Sequence, residues 1–345
     1  MNGKTIALSA AAALACTTLV APQSFARDQH GNRPSNEGII VWTTREASGS
    51  EHLMVARADG SHQRSLTPEL PDTADVDSQI SPDGSWVAYE HDTADSASVR
   101  LVRPDGRQDH EVDVGCADPC VASIGPTWLA NARLSFALVE APFGPPNDSA
   151  ASAVLWTSRR DGTHVRRLSR PGIDGVYEDL WAHRAPDGSY LTFLRRRNAD
   201  LKSALFRMRP DGTHEQQLTP WELSVDVNDL STARRGPTRN LLVFDSYARG
   251  GPETSYVDIG TVPATCPDLP ACTASIRWLT DNGATGRRNA NPQWSPDGTS
   301  LVFTDRASTD EPNAEIWTMR YPGTDRRKIS TSTNFDYRPT WGVRP

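Results

Sequence analysis

The sequence predicts an all-β fold, a six-bladed β-propeller closed by pairing the C-terminal strand with the N-terminal blade. Three observations support this prediction. A strand–turn–strand segment recurs along the chain, and its fullest copy runs from residue 289 to residue 303. Apolar-x-aromatic triplets recur at intervals of about 50 residues, a spacing typical of propeller blades. The two ends of the chain carry complementary parts of one repeat.

A tight turn lies in the middle of the repeat. Its copies are Ser81-Pro82-Asp83-Gly84, Ala185-Pro186-Asp187-Gly188 and Ser295-Pro296-Asp297-Gly298. Proline presets φ, aspartate bonds nearby backbone, and glycine accepts a positive φ. Each copy therefore predicts a hairpin between two antiparallel strands.

An apolar-x-aromatic triplet stands in the second strand of each repeat. The six triplets end at Trp42, Tyr89, Phe136, Phe193, Phe244 and Phe303. Because alternate residues of a strand share a face, each triplet places an aliphatic and an aromatic side chain in one packing layer. A second family of turns, such as Arg209-Pro210-Asp211-Gly212, then joins a third strand to a short fourth one.

The chain ends predict ring closure. Residues 38–42 form the second strand of a repeat with no first strand before it, whereas residues 338–342 match the first strand at 291–295 and have no successor. Pairing the tail with the head completes one blade and removes the open sheet edge.

These repeats resemble the TolB-type β-propeller family, whose units carry a Trp-Ser-Pro-Asp-Gly core. The resemblance covers residues 36–345, and it implies an exported propeller with no defined activity. The α/β domain that precedes the propeller in TolB is missing from this chain, so TolB's own role in the Tol-Pal system is not implied.

The composition and the first residues indicate export. The formal net charge is −7, which disfavours a nucleic-acid partner. Residues 1–26 read as a signal peptide and 27–35 as a short linker, and no later stretch predicts a transmembrane segment. We expect a periplasmic or secreted protein. Because the residues before Cys16 weakly resemble a lipoprotein cleavage box, lipidation there and an outer-membrane lipoprotein are the alternative. The arginine run 195–197 is expected to be solvated.

Four further cysteines form two close pairs, Cys116 with Cys120 and Cys266 with Cys272. In an exported protein this favours two local disulfides. A zinc site is the rival interpretation, and it requires the pairs to converge. The long loops at 140–153 and 247–275 are candidate binding segments.

A ring of polar residues is the main candidate site. Five residues before Trp294 is Asn289, and the equivalent residues of the other repeats are Asp75, Ser123, Asp179, Asp226 and Asp336. We expect these six to surround the channel mouth as ligand-binding residues, with His183 and Arg184 beside them. A Ca²⁺ ion held by Asp75, Asp179 and Asp336 is one reading of this pattern. The other reading is that each polar residue bonds the backbone of its own blade.

No catalytic motif accompanies the repeat: the sequence contains no Gly-x-Ser-x-Gly, no His-Glu-x-x-His and no phosphate-binding loop. The sequence therefore favours a non-enzymatic propeller with no required cofactor. Its expected partner is a cell-envelope protein, peptide or glycan, bound on the funnel face and the long loops. The alternative is a carbohydrate-active lyase or hydrolase with its site in the central channel.

Overall fold

A computed structural model describes residues 38–118, 120–140, 152–169, 176–233, 235–249, 256–308 and 312–345. The predicted signal peptide, the linker and Cys16 lie outside the described residues, as does most of the predicted loop 140–153. Among the described residues, no helix is both long and apolar enough to cross a bilayer.

Antiparallel strands account for nearly all the regular structure. In the first half of the chain they are β1 (Ile39–Arg45), β2 (Glu51–Arg57), β3 (Arg64–Ser65), β4 (Ala74–Ile80), β5 (Val87–Asp92), β6 (Ala97–Val102), β7 (His110–Glu111), β8 (Cys120–Ala130), β9 (Arg133–Glu140), β10 (Ser152–Arg159), β11 (Arg166–Arg167) and β12 (Tyr177–Arg184). In the second half they are β13 (Leu191–Arg197), β14 (Ser203–Met208), β15 (Gln216–Gln217), β16 (Val225–Leu230), β17 (Leu241–Ser246), β18 (Asp258–Pro263), β19 (Arg277–Trp278), β20 (Arg288–Trp294), β21 (Ser300–Arg306), β22 (Glu315–Arg320), β23 (Thr324–Lys328) and β24 (Phe335–Gly342). A 3-10 turn (Trp221–Leu223) and one short helix, α1 (Leu269–Ala274), complete the described elements.

The strands form one eight-stranded sheet and four sheets of four strands. The four-stranded sheets are β8–β11, β12–β15, β16–β19 and β20–β23, each with neighbouring strands in chain order. In the eight-stranded sheet β24 pairs with β1, and β4–β7 follow after β2. A single parallel pair, Glu51 with Ala74, joins β2 to β4.

The aromatic residues of the triplets form the core. The six are among the largest fully buried side chains: Trp42, Tyr89, Phe136, Phe193, Phe244 and Phe303. Burying one such side chain contributes about 1.5–3 kcal/mol. The cluster around Trp42 includes Val302 and Ile316 from β21 and β22, so it joins the last four-stranded sheet to β1.

Glycine in the second turn family allows neighbouring sheets to approach closely. Gly212 has φ +83°, and a Cβ atom there would overlap the carbonyl oxygen of Leu168 in the preceding sheet. Gly60, at φ +82°, lies in the same way against the backbone of Ile329. The turn therefore requires glycine for two reasons, the backbone conformation and the contact.

Candidate functional site

A β-bulge interrupts the first strand of the repeats. The pairing register shifts between Val76 and Gln79, and at matching points in β8, β12, β16, β20 and β24. Five of these six bulges contain a residue with positive φ. These residues are Asp77, Gly125, Trp181, Asn291 and Arg338. Bulges re-aim side chains, and non-glycine residues at positive φ are strained, so this set is a functional candidate.

Five of the six bulges line a narrow cavity of about 20 Å³ between the sheets, which is room for about one water-sized group. Its wall comes from β4, β12, β16, β20 and β24. The lining side chains are Asp77, Ser78, Gln79, Trp181, His183, Val227, Asn228, Asn291, Gln293, Arg338 and Pro339. Five of the six first strands therefore contribute to one wall.

A second and wider cavity, of about 330 Å³, shares Gln79, His183 and Gln293 with the first. It opens on the side of the Pro-Asp-Gly turns, and three tryptophans, Trp128, Trp294 and Trp341, belong to its wall. The shared residues show that the two cavities adjoin at His183.

Several polar atoms in the wall of the narrow cavity have no hydrogen-bond partner within the described part of the chain. They are Nε2 of His183, Oγ of Ser78, and both Nδ2 and Oδ1 of Asn228. Asn228 is fully buried. A buried polar group without a partner costs about 1–3 kcal/mol. Three such side chains from different sheets around one cavity point to a bound polar group that completes them.

One ion pair lies in the same wall. The Arg338 guanidinium is 2.9 Å from a carboxylate oxygen of Asp77. Burial alone would lower the pKa of Arg338, but the surrounding acidic groups outweigh burial and raise it; these are Asp77, Tyr337, Asp226 and Glu90. Among the described residues that line the cavity, Arg338 is the only lysine or arginine.

Buried carboxylates stand behind the wall and hold the bulges in place. Glu90 accepts a hydrogen bond from the backbone N–H of Gly125 at 2.7 Å, and Asp245 accepts one from Asn291 at 2.9 Å. Each carboxylate directly follows the triplet aromatic of the preceding repeat. Burial raises the pKa of both, and a neighbouring carboxylate adds to the effect.

His183, which is buried, and Asp229, which is partly buried, form a pair where the cavities adjoin. Nδ1 of His183 is 3.5 Å from Oδ1 of Asp229, whose Oδ2 accepts the backbone N–H of Trp294 at 2.7 Å. Burial lowers the pKa of His183 to about 4, partly offset by a hydrogen bond with the Asn228 backbone. Burial raises the pKa of Asp229 to about 7, partly offset by backbone N–H groups. The histidine is therefore neutral at pH 7.

We expect Asp229→Asn to be more stable than wild type above pH 7 and equally stable near pH 4. The folded protein keeps a proton on Asp229 up to about pH 7, whereas the unfolded chain releases it near the ordinary value of 3.8. The free energy of unfolding of the wild type therefore falls by at most about 4 kcal/mol as the pH rises from the unfolded pKa of Asp229 through the folded one. The asparagine has no charge to desolvate and still accepts the Trp294 N–H.

Urea unfolding of both proteins at several pH values checks this prediction. Subtracting one curve from the other removes the opposite contribution of His183, which both proteins share. Asp187→Asn, in an exposed turn, is the control and should show no such gain. A difference between Asp229→Asn and wild type that does not change with pH would contradict the prediction.

The residues of the predicted ring do not line the narrow cavity. Their side chains are instead bonded to neighbouring strands. Asp179, fully buried, accepts hydrogen bonds from Arg195 at 2.6 and 2.9 Å. Asp75 lies 2.6 Å from Nδ1 of His91. Ser123 Oγ accepts the Val99 N–H at 3.0 Å.

The other ring residues are placed similarly, apart from one. Asn289 accepts a hydrogen bond from Asn282 at 2.9 Å, and Asp336 accepts one from Ser332 at 2.5 Å. Asp226 instead occupies the unpaired part of its bulge, between residues 225 and 228. The physical reason is that the faces of a radial sheet point towards neighbouring sheets, so side chains turn towards the cavity in a bulge or directly beside one.

The predicted metal ligands Asp75, Asp179 and Asp336 are not brought together. In the described part of the chain, one group of three or more His, Cys, Asp or Glu side chains has its ligand atoms within 4.8 Å of one another. That group contains none of the three predicted aspartates. His183 lies in the wall of both cavities, and Arg184 in the wall of the wider one.

Three smaller expectations can also be compared with the structure. Arg195 is not solvated, because it is buried between Asp179 and Glu215. The segment 247–275 is not a single loop, since it contains β18 and α1.

Each cysteine pair lies at disulfide-bonding distance with 5.2 Å between its Cα atoms, so the sulfur atoms face each other rather than a shared zinc ion.

Comparison with solved structures identifies the fold as a β-propeller of the TolB-like type. TolB from Acinetobacter baumannii is similar over 88% of this chain and 66% of its own, with a TM-score of 0.63 and 16% identity. This chain thus spans just under two thirds of that protein. A putative TolB from Agrobacterium tumefaciens is similar over 88% of this chain and 98% of its own, with a TM-score of 0.56 and 16% identity.

The nidogen/laminin complex contains a further similar chain, with a TM-score of 0.61, 10% identity, and coverage of 89% of this chain and 99% of that one. At these identities the similarity concerns the fold alone. No protein-family model matches the sequence, and no curated protein matches it either.

Proposed function

We propose that the chain is a closed propeller of six blades. The single parallel pair between β2 and β4 divides the eight-stranded sheet into two blades of four strands, and the other four sheets supply the remaining blades. Closure would come from β24 on β1. Two hydrogen bonds connect the first blade to the last near their outer strands, β3 and β23. Gln63 donates to the Ile329 carbonyl at 2.9 Å, and Thr331 donates to Gln63 at 3.1 Å.

The function that this geometry supports best is non-enzymatic binding by an exported protein, with the central cavity taking a basic group of a cell-envelope protein or peptide. The observation that carries this proposal is the set of unpartnered atoms on His183, Asn228 and Ser78 around one cavity. They include two acceptors, the imidazole Nε2 and the amide Oδ1. An ammonium or guanidinium group supplies several donors at once.

The charge around the cavity favours the same partner chemistry. Carboxylates of Asp77, Glu90, Asp226, Asp229 and Asp245 surround a wall that contains one arginine, and burial raises the pKa of the last four. Burial favours the protonated form of these four groups, and a cation that enters the cavity favours their ionised form and lowers those pKa values. The role of Ca²⁺ in the channel stays a prediction, as does export to the periplasm or medium with or without lipid on Cys16.

Short peptides with lysine, arginine, glutamine or glutamate at the centre test the proposal by calorimetric titration. We expect the basic peptides to bind, and their affinity to fall as salt is added. Asn228→Leu removes the unpartnered amide at nearly constant volume. It should weaken binding by roughly 10-fold or more, because one charge-assisted hydrogen bond is worth about 1.5–3 kcal/mol.

The same variant should unfold at a higher urea concentration than wild type, because a buried amide without partners has been replaced by an apolar group. Weaker binding by a more stable protein separates a site defect from misfolding. Asp187→Asn serves as the control and should bind like wild type. Equal affinity for the basic, neutral and acidic peptides would contradict the proposal, as would unchanged binding by Asn228→Leu.

A glycan partner and the enzyme alternative share one supporting observation. The neutral His183 beside Asp229, with Arg184 and three tryptophans in the wall of the wider cavity, combines a proton carrier with aromatic surfaces. Turnover of an oligosaccharide panel by the purified protein, with and without chelator, would favour this second candidate.

A further inference from the structure

Three ligand-type side chains meet away from the central cavity, at the hairpin of β1 and β2. Glu46 follows β1, His52 lies in β2, and Glu69 lies in the connection between β3 and β4. One ligand atom from each lies within 4.8 Å of the other two. None of the three belongs to the wall of either cavity already described.

The histidine of this group is buried, and one of its ring nitrogens has no hydrogen-bond partner among the described residues. His52 is 5% exposed, and its Nδ1 has no partner. Its Nε2 points at Oε1 of Glu46 from 4.0 Å, which is too long for a hydrogen bond. Burying an imidazole in this state costs about 1–3 kcal/mol, which an ion bound at Nε2 would offset.

The two carboxylates receive hydrogen bonds from neutral groups. The Asn334 side chain donates to Oε2 of Glu46 at 2.8 Å, and the Ser50 hydroxyl donates to Oε1 of Glu69 at 2.9 Å. In the described ranges, no lysine or arginine forms an ion pair with either carboxylate. Two negative charges this close therefore lack a cation, while Oε1 of Glu46 faces the histidine.

We propose that Glu46, His52 and Glu69 bind a divalent transition-metal ion such as Zn²⁺. One imidazole with two carboxylates is a donor set that suits zinc, and three protein ligands leave a fourth position for water or a partner's side chain. Calcium and magnesium prefer oxygen ligands alone. Ligand atoms around tetrahedral zinc lie about 3.4 Å apart, so the partly exposed glutamates must close by about 1 Å.

The strands beside His52 contain a support for the imidazole. Thr44 lies opposite His52 in the register of β1 and β2, and Asp336 lies opposite Thr44 in β24. Among the described residues, Oγ1 of Thr44 and Oδ1 of Asp336 are both buried without partners. With zinc on Nε2, Nδ1 would carry the proton, and rotation of the Thr44 side chain would supply its acceptor, since the two atoms form no hydrogen bond in this structure. Such an outer hydrogen bond orients a metal-bound histidine.

Titration of the purified, chelator-treated protein with ZnCl₂ tests this proposal by calorimetry, with CaCl₂ and MgCl₂ as comparison ions. We expect one Zn²⁺ per chain, a rise in thermal midpoint on binding, and much weaker binding of the other two ions. Glu69→Gln and His52→Gln should each weaken zinc binding by at least about tenfold, because loss of an outer-shell partner alone costs that much.

Glu69 is exposed, so its replacement leaves the core intact and decides the matter even if His52→Gln folds poorly. Glu222→Gln, at a distant exposed glutamate, is the matched control and should bind zinc like wild type. Absence of zinc binding in wild type would overturn the proposal. So would equal affinity in Glu69→Gln, or anomalous scattering that places the ion away from His52.

Discussion

Deletion of residues 335–345 is expected to abolish cooperative unfolding. The deletion removes β24, which pairs with β1 from Phe335 to Gly342 and buries Trp341 against Ile40 and Trp42. The proposed ring would lose the ladder that joins its ends, and the buried strand β1 would become an open edge. The loss is of the same order as the whole stability of a domain, about 5–15 kcal/mol.

Circular dichroism with urea unfolding measures this effect, and a synthetic peptide of residues 335–345 provides a positive test. Adding the peptide to the shortened chain should restore a sharp transition, because the missing strand can pair from a separate molecule. Deletion of the exposed residues 344–345 alone is the control and should leave stability unchanged. A shortened chain that unfolds cooperatively at the wild-type midpoint would show that β24 does not close the ring.

The second large effect is expected for Arg195→Met. Arg195 is 7% exposed and donates hydrogen bonds to two carboxylates. One is Asp179, which is fully buried, and the other is Glu215. Burial already raises the pKa of Asp179, although the guanidinium opposes that rise. Removing the guanidinium leaves an uncompensated buried carboxylate, which costs about 3–5 kcal/mol.

A neighbouring arginine provides the matched control. Arg197, in the same strand, pairs with Asp200, and both side chains are about one third exposed. Arg197→Met should change the free energy of unfolding by less than about 1 kcal/mol, as exposed ion pairs contribute little. The double variant that combines Arg195→Met with Asp179→Asn should recover part of the loss, because it has no buried charge at position 179. Equal unfolding midpoints for the two single variants would contradict the argument from burial.

Local sequence predicted the repeat unit because its turns and core residues follow short-range rules. Pro-Asp-Gly turns require particular φ values from particular residue types, and the structure has Gly84, Gly188 and Gly298 at φ +68° to +74°. The aromatic residues of the triplets, such as Phe193 and Phe244, are fully buried as the alternation predicts.

The candidate site followed no such rule. Its wall depends on bulges whose residues share no chemistry: an aspartate, a tryptophan, an asparagine and an arginine occupy equivalent positions. The repeated polar residues Asp75 and Asp179 did stand out in the sequence, but in the structure their side chains bond residues of the adjacent strands. The zinc ligands proposed here come from three separate segments, so no spacing motif marks them.

The sequence by itself determined the strand order, the turn positions and the residues of the packed layers, because each follows from backbone preferences and alternation within a few residues. Only the tertiary structure decided which side chains face the centre and which charges are buried in pairs. Those outcomes depend on where bulges rotate a strand and on which neighbouring sheet covers it, and contacts between distant segments set both.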